Sequence, residues 1–342
     1  MATLSFKPKQ VTKKLLETLS KRSQDVLIKR YGLGKDIKKM TLEAIGQSYG
    51  ITRERVRQIE EYSLTNIRKS DDFKKSEETF NELKDIIDSL GSIVSEQELL
   101  EELSKNESIR NHVHFLLVLG DPFVKFKEND RFHLRWAIDQ KIAEQVHQSI
   151  EKLYKGLSID EIINESELLE SFLTHLKTVS DKYKDTVILS RWLGISKNIS
   201  QNPLGEWGRA DSPNINVKGM RDYAYLVIRR HGSPIHFREV AKTITELFDK
   251  KAHVATCHNE LIKDPRFVLV GRGLYALKDW GYLSGVVRDV IGEVITKNGS
   301  LTKDQIIGKV LKERYVKENT IIVNLQNPKF FKKDSKGKYS IA

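Results

Sequence analysis

Twenty residues, Thr41 to Glu60 (TLEAIGQSYGITRERVRQIE), constrain this chain more than any other stretch. Thr41 is a side-chain oxygen placed to cap a helix whose apolar positions are Leu42, Ala44 and Ile45. Gly50 suits the left-handed conformation that ends such a helix. Thr52 then caps a second helix, and Ile51 before it can staple onto Val56. Val56, Ile59 and Ile67 fall on one helical face, the packing face. Arg53 and Arg57 lie one turn apart on the opposite face, as do Glu54 and Gln58. The pattern is a helix-turn-helix. Arg, Glu and Gln are side chains that read base edges: Arg takes guanine bidentately, Gln takes adenine, and Glu accepts from cytosine. The start of a helix that enters a major groove is where a reading set belongs.

TLEAIG and GITRERVRQIE resemble region 4.2 of the primary sigma factors of bacterial RNA polymerase, the sigma-seventy family. Upstream, SQDVLIKRYGLG (Ser23 to Gly34) resembles region 4.1, a helix ending in Arg-Tyr-Gly-Leu. The resemblance runs over residues 11 to 69 and implies a domain that reads the promoter −35 element of double-stranded DNA. It implies Thr52, Arg53, Glu54, Arg55, Arg57 and Gln58 as the DNA-binding residues. Arg53, Glu54, Arg57 and Gln58 would contact bases or adjacent phosphates, and Arg55 would face the backbone. It also implies docking on the flap of the RNA polymerase β subunit. Ser63 stands where that family usually has Ala, a small change. The larger departure is position. In a sigma factor this module lies behind the regions that melt the −10 element, whereas here it lies at the start of the sequence.

Charge agrees with that placement. The chain carries a net +11. Residues 1–70 hold 16 of the 58 Lys and Arg against 7 of the 47 Asp and Glu, leaving 42 against 40 for the rest. The basic footprint therefore belongs to the helix-turn-helix part, as phosphate binding requires. A length of 342 residues suggests at least two or three domains. No apolar run of about 18 residues is present, so no membrane span is expected. The opening MATLSFKPKQ lacks the apolar core of a signal peptide, and a cytoplasmic protein is expected. Its first ten residues read as a mobile basic arm. A single cysteine, Cys257, excludes an internal disulfide and a cysteine-rich zinc site, and reads as a small buried residue.

Beyond residue 75 the sequence repeats. TFNELKDIIDSLGSIVSEQELLEEL (Thr79 to Leu103), AYLVIRRHGSPIHFREVAKTI (Ala224 to Ile244) and VRDVIGEVITKNGSLTKDQIIGKVL (Val287 to Leu311) each read as helix, Gly turn, helix. Each is followed by an Asp-Pro or Asn-Pro turn and two short β runs, the second ending in an aromatic: Phe132, Tyr275 and Tyr339. Three helices and a β-hairpin make a winged helix. IAEQVHQSIEKLYKGLSIDEII (Ile142 to Ile163) begins a weaker copy. SPIHFREVAKTI and GLYALKDWGY in the third unit resemble the HARE-type winged helix, and the fourth unit is similar. That family also occurs in the delta subunit of some bacterial RNA polymerases and beside restriction enzymes, which implies a docking module without an activity of its own.

The expected fold is mainly α with small β-hairpin wings, a helix-turn-helix domain followed by tandem winged helices. The expected boundaries are 1–72, 76–137, 138–197, a linker or long docked loop at 198–219 rich in Asn, Pro, Ser and Gly, then 220–281 and 284–342. Each module is expected to fold on its own apolar set. Trp207 in the linker either plugs a neighbouring surface or belongs to a partner-binding arm.

Catalytic chemistry is not legible. His112 and His114, two apart, suit one side of a strand and lack cysteine or acidic partners at ligand spacing, so neither a metal nor a cofactor is expected. His231 and His236 flank a turn and read as structural. Gly271-Arg272-Gly273 is a wing turn and not a phosphate loop, because no Gly-Lys-Ser/Thr follows. Arg272, and Lys332, Lys333, Lys336 and Lys338 around the last wing, either touch phosphate or stay solvated. The reading is a sigma-like, non-enzymatic transcription protein that binds DNA and polymerase. The alternatives are a DNA-binding component of a restriction or DNA-processing system, and a polymerase-binding scaffold that reads no sequence.

Overall fold

The computed structural model describes residues 4–176 and 181–342 and divides into two compact units. One comprises Met1–Ser200 and Trp207–Ala210, the other Gln201–Glu206 and Asp211–Ala342. The architecture is mainly helical, with small antiparallel sheets.

The first unit opens with α1 (Pro8–Glu17), α2 (Lys21–Tyr31), α3 (Leu42–Tyr49), α4 (Arg53–Lys69) and the single turn α5 (Asp71–Lys74). The arm expected at residues 1–10 is shorter than the charge pattern suggests. Pro8 starts α1, where its missing N–H would have no helical partner anyway, and Leu4 and Phe6 pack on the core. Residues 1–3 of that arm lie outside the described residues.

Next come α6 (Glu77–Ser89), β1 (Ile93–Ser95), α7 (Glu96–Leu103), α8 (Glu107–Leu119), β2 (Val124–Phe126) and β3 (Arg135–Ala137). The last strand lies in the middle of the sheet, with Ile93 opposite Ala137 and Lys125 opposite Trp136. The second β run starts later than the sequence pattern places it. Phe132 sits in the turn, where the Asn129 carboxamide oxygen accepts from the N–H groups of Arg131 (2.9 Å) and Phe132 (2.8 Å), and the fully buried Trp136 is the aromatic that fills the sheet.

α9 (Gln140–Gly156), α10 (Glu165–His175), α11 (Thr186–Leu193), β4 (Ile199–Gln201) and β5 (Trp207–Arg209) follow. Residues 177–180 of the unit expected at 138–197 lie outside the described residues. The stretch 198–219, read as a linker or a long docked loop, is an ordered segment whose polar residues close turns. Asn202 accepts from the N–H groups of Leu204 and Glu206, so β4 and β5 form a hairpin. Trp207 is buried, and its backbone exchanges two hydrogen bonds with Ile163, of 2.9 and 2.8 Å.

The core of this unit does not follow module boundaries. Leu15, Leu16, Leu27, Tyr31 and Ile67 from the first five helices share one cluster with Leu83, Val94, Leu99, Phe115, Leu116 and Trp136. The physical reason is that α2 is apolar on more than the face α4 covers, and α8 packs across both α1 and α2. Tyr31 meets Phe115 edge-on at 5.1 Å between ring centroids. Asn111 on α8 donates from Nδ2 to the carbonyls of Gly32 (3.1 Å) and Ile37 (2.9 Å). Gly32 has φ +64, and a Cβ there would stand 2.3 Å from the Ile37 carbonyl oxygen, so only glycine fits this corner. Separately, Ser63, Val26, Ile45 and Val56 are fully or nearly fully buried around α3 and α4.

The second unit holds α12 (Met220–His231), β6 (Ile235–His236), α13 (Phe237–Phe248), α14 (Val254–Lys263), β7 (Phe267–Gly271) and β8 (Leu274–Leu277). It continues with α15 (Val287–Asn298), β9 (Leu301–Thr302), α16 (Lys303–Glu313), α17 (Glu318–Leu325), β10 (Phe331–Lys333) and β11 (Lys338–Ile341). In both sheets the last strand is again central: β8 between β6 and β7, β11 between β9 and β10. Two arginines tie this unit together. Arg266 binds Asp222 (2.9 Å), Asp264 (2.7 Å) and Asn214 (3.1 Å). Burial raises the Asp264 carboxyl, but the Arg266 hydrogen bonds outweigh it and the net shift is downward. The buried Arg314 donates to the carbonyls of Leu269, Leu283 and Gly285, joining the two repeats.

Candidate nucleic-acid interface

Local chemistry sets the helix-turn-helix geometry. Thr41 Oγ1 accepts from the Ala44 N–H at 3.1 Å, and Thr52 Oγ1 from the Arg55 N–H at 3.2 Å. Between them Gly50 takes φ +61 and ends α3. Ile45 and Val56 are fully buried with Val26 of α2, which fixes the angle of α4 against both neighbours. From the other side Tyr31 Oη donates to Glu60 at 2.8 Å, and Arg30 lies 3.5 Å from the same carboxylate. Burial first, then the Glu60 carboxylate, push the Tyr31 hydroxyl far above its ordinary value, so it remains a donor.

This scaffold leaves Thr52, Arg53, Glu54, Arg55, Arg57 and Gln58 all exposed at the start of α4. Four of these side chains form two pairs. Arg57 lies along the helix between carboxylates: Nε and Nη2 donate to the two oxygens of Glu54 at 2.9 and 2.7 Å, and Nη1 to Glu61. The Arg57 hydrogen bond is the main reason the Glu54 carboxyl is depressed. Arg55 Nη1 meets Gln58 Oε1 at 3.1 Å on the side toward α2. There Arg55, Gln58, Ile59 and Tyr62 face Ser20, Arg22 and Ser23 across a notch of about 520 Å³. Ser20 is the N-cap of α2, accepting from the Ser23 N–H at 3.4 Å. Arg22, Tyr62 and Glu61 were missed by sequence reasoning. A serine cap followed by Arg22 was visible in the sequence, but only packing brings it beside α4.

The far end of α4 is anchored too. Arg68 donates from Nε to the Leu119 carbonyl (3.0 Å) and from Nη2 to that of Val118 (2.8 Å), satisfying the last turn of α8.

Residues 15–69 match the family model described as Sigma-70, region 4. This segment is a sigma-70 region 4 module. It is 53% identical over 55 residues to the RNA polymerase sigma factor SigA of a Nostoc species, a match covering 16% of this chain and 14% of that protein. Against the SigA of a Synechocystis species identity is 54% over 54 residues, covering 16% and 12%. Against that of a Bacillus species it is 43% over 60 residues, covering 18% and 16%. The chain thus spans less than a fifth of the length of these relatives. A sigma-factor-like, DNA-binding role in transcription follows for the region 4 module.

The other side chains singled out in the sequence lie elsewhere. His112 and His114 are on α8, a helix and not a strand, because Asn106 caps a run of 13 helical residues through them. Both are buried imidazoles. Burial, then Lys39, Lys125 and Arg30, push His114 down to about 3, while burial and Lys9 push His112 down to about 4. His236 caps α13. Cys257 is buried, which raises its thiol to about 11. Arg272 is exposed between β7 and β8, and Lys332, Lys333, Lys336 and Lys338 are exposed on the β10–β11 hairpin. Among the described residues no cluster of three His, Cys, Asp or Glu is placed to hold a metal ion, and no helix is long and apolar enough to cross a membrane.

Proposed function

We propose that this chain is a sequence-specific transcription protein whose region 4 module reads a −35-type promoter element and docks on RNA polymerase. The observation that carries the reading is the exposed Arg, Glu and Gln set on the first two turns of α4, presented by a capped, core-packed helix-turn-helix. Arg53, Glu54, Arg57 and Gln58 take base edges or adjacent phosphates, and Arg55 holds the backbone. The notch between Arg55 and Arg22 suits a phosphate, with the α2 N-terminus behind it. The repeats whose last strand is central are winged helices, of the HARE type in the second unit. They act as docking modules that recruit, block or stabilise polymerase, with the β flap as the contact of the region 4 module. No bond making is assigned to the chain.

A second reading draws on the Arg57 arrangement. Glu54 and Glu61 neutralise that guanidinium, which favours a polymerase-binding scaffold whose helix reads no sequence. A salt titration of variants on −35-like and scrambled duplexes separates the two. Arg57→Ala should weaken the cognate duplex roughly ten- to a hundredfold and random DNA much less. Arg55→Ala should weaken all duplexes alike and reduce the slope of log K against log salt by about 0.9. Equal shifts on both duplexes for both variants would establish the scaffold instead.

A further inference from the structure

Two carboxylates hold Arg57, and they act on it differently. Residues 54, 57 and 61 stand at i, i+3 and i+7, which puts all three on one stripe of α4. Glu54 takes the side of the guanidinium, accepting from Nε at 2.9 Å and from Nη2 at 2.7 Å. This two-point contact fixes the plane of the group and leaves the Nη1–Nη2 end as the fork for a base. Glu61, one turn further on, accepts from Nη1 and so engages one nitrogen of that end. Guanine O6 and N7 are both acceptors, so a base at the fork meets a carboxylate that competes for the same nitrogen and repels it. The Glu61 side chain is 62% exposed, so it can swing away without uncovering a buried group.

We propose that Glu61 is a positioning residue that holds Arg57 back from the bases and so sets how sharply α4 discriminates its site. The assignment rests on the reading of α4 as a base-reading helix, and it adds a residue that acts on specificity without touching DNA. On a cognate duplex Arg57 must exchange Glu61 for guanine. On any other duplex the pair stays closed, so the exchange costs only the specific complex. Glu54 can stay in place throughout, because it occupies the other edge of the guanidinium. An exposed ion pair is worth little, so releasing it changes the ratio of cognate to scrambled affinity by roughly two- to fivefold. The Glu61 charge also repels phosphates, but that weakens both duplexes alike.

The test uses the full chain and fluorescein-labelled −35-like and scrambled duplexes, read by anisotropy. The proteins are the unchanged chain, Glu61→Gln, Glu61→Asp, Arg57→Ala, and each Glu61 variant combined with Arg57→Ala, all checked for a native circular dichroism spectrum. Glu61→Gln should tighten both duplexes and raise the ratio of cognate to scrambled affinity by roughly two- to fivefold. Glu61→Asp keeps the charge but is one methylene shorter, so it should leave the scrambled duplex unchanged and raise the ratio as Gln does. With Arg57→Ala in place, neither substitution should move the ratio. A ratio that stays put in both single variants would overturn the proposal. So would a rise that persists without Arg57. A rise with Gln but not with Asp would reduce Glu61 to a repelling charge, and the proposal fails. Arg57→Ala shifting both duplexes equally is a different result: it removes the base-reading assignment itself, and the role of Glu61 falls with it.

Discussion

Replacing Asn111 by Ala should loosen the helix-turn-helix from a distance of some 70 residues in sequence. Asn111 is 3% exposed, and its Nδ2 serves the Gly32 and Ile37 carbonyls at 3.1 and 2.9 Å. Both acceptors belong to the corner that carries the chain from α2 into α3. Removing the carboxamide leaves two carbonyls without that donor in a place water barely reaches. At about 1–3 kcal/mol for each unsatisfied group, with partial relaxation, the expected loss is about 2–4 kcal/mol. The whole chain is not a two-state system, so a global melt is the wrong assay. Amide hydrogen exchange read by mass spectrometry resolves the loss locally. Peptides spanning residues 21–60 should exchange roughly 30- to 1,000-fold faster, since about 1.4 kcal/mol is a factor of ten. Peptides from α15 to β11 should be unchanged. If residues 21–60 keep their protection while only α8 loses it, the region 4 module stands without this joint, and its shared core with the following repeat is incidental.

Other consequences can be checked directly. His114 is buried and His147 half-buried, and both are neutral, each held down to about 3 by burial first and then by neighbouring cations; His147 accepts from Arg135 Nε at 2.5 Å. The unfolded chain takes up these protons below about pH 6.5, so the first unit should be fully stable above that pH and lose up to about 2 kcal/mol per histidine by pH 5. Urea midpoints for the first unit that are flat from pH 7 to 5 would refute it. Arg314→Met removes three carbonyl partners and should destabilise the second unit by about 2–4 kcal/mol, seen as earlier exchange at Leu269 and Leu283. A fragment starting at Asp211 should melt cooperatively, whereas one starting at Val217 lacks Asn214, which binds Arg266, and should melt lower. Equal midpoints would show that this contact contributes nothing.

Much of the helix-turn-helix was legible because its determinants are local. Caps at Thr41 and Thr52, a left-handed Gly50 and the burial of Ile45 and Val56 depend on residues within a turn or two of each other. The same locality made the three helix, Gly turn, helix units visible. Local pattern misled where a side chain answered to a distant partner. His112 and His114 alternate like a strand but belong to α8, and Phe132 resembles a strand end but occupies a turn closed by Asn129. The Asn-, Ser- and Gly-rich stretch at 198–219 has the composition of a linker, yet its polar groups close a hairpin and bury Trp207.

Spacing and capping alone dictate a helix-turn-helix here and which side chains begin its second helix, since neither needs tertiary context. How those side chains are engaged follows from the packing around them. Arg57 is shared between Glu54 and Glu61, and Arg55 faces Arg22 across a notch, because side-chain direction on a crowded helix depends on what packs beside it. Tertiary structure also decided that the module shares its core with α8. An apolar stripe records that a face is buried but not which helix buries it, and here the covering helix lies more than 70 residues along the chain.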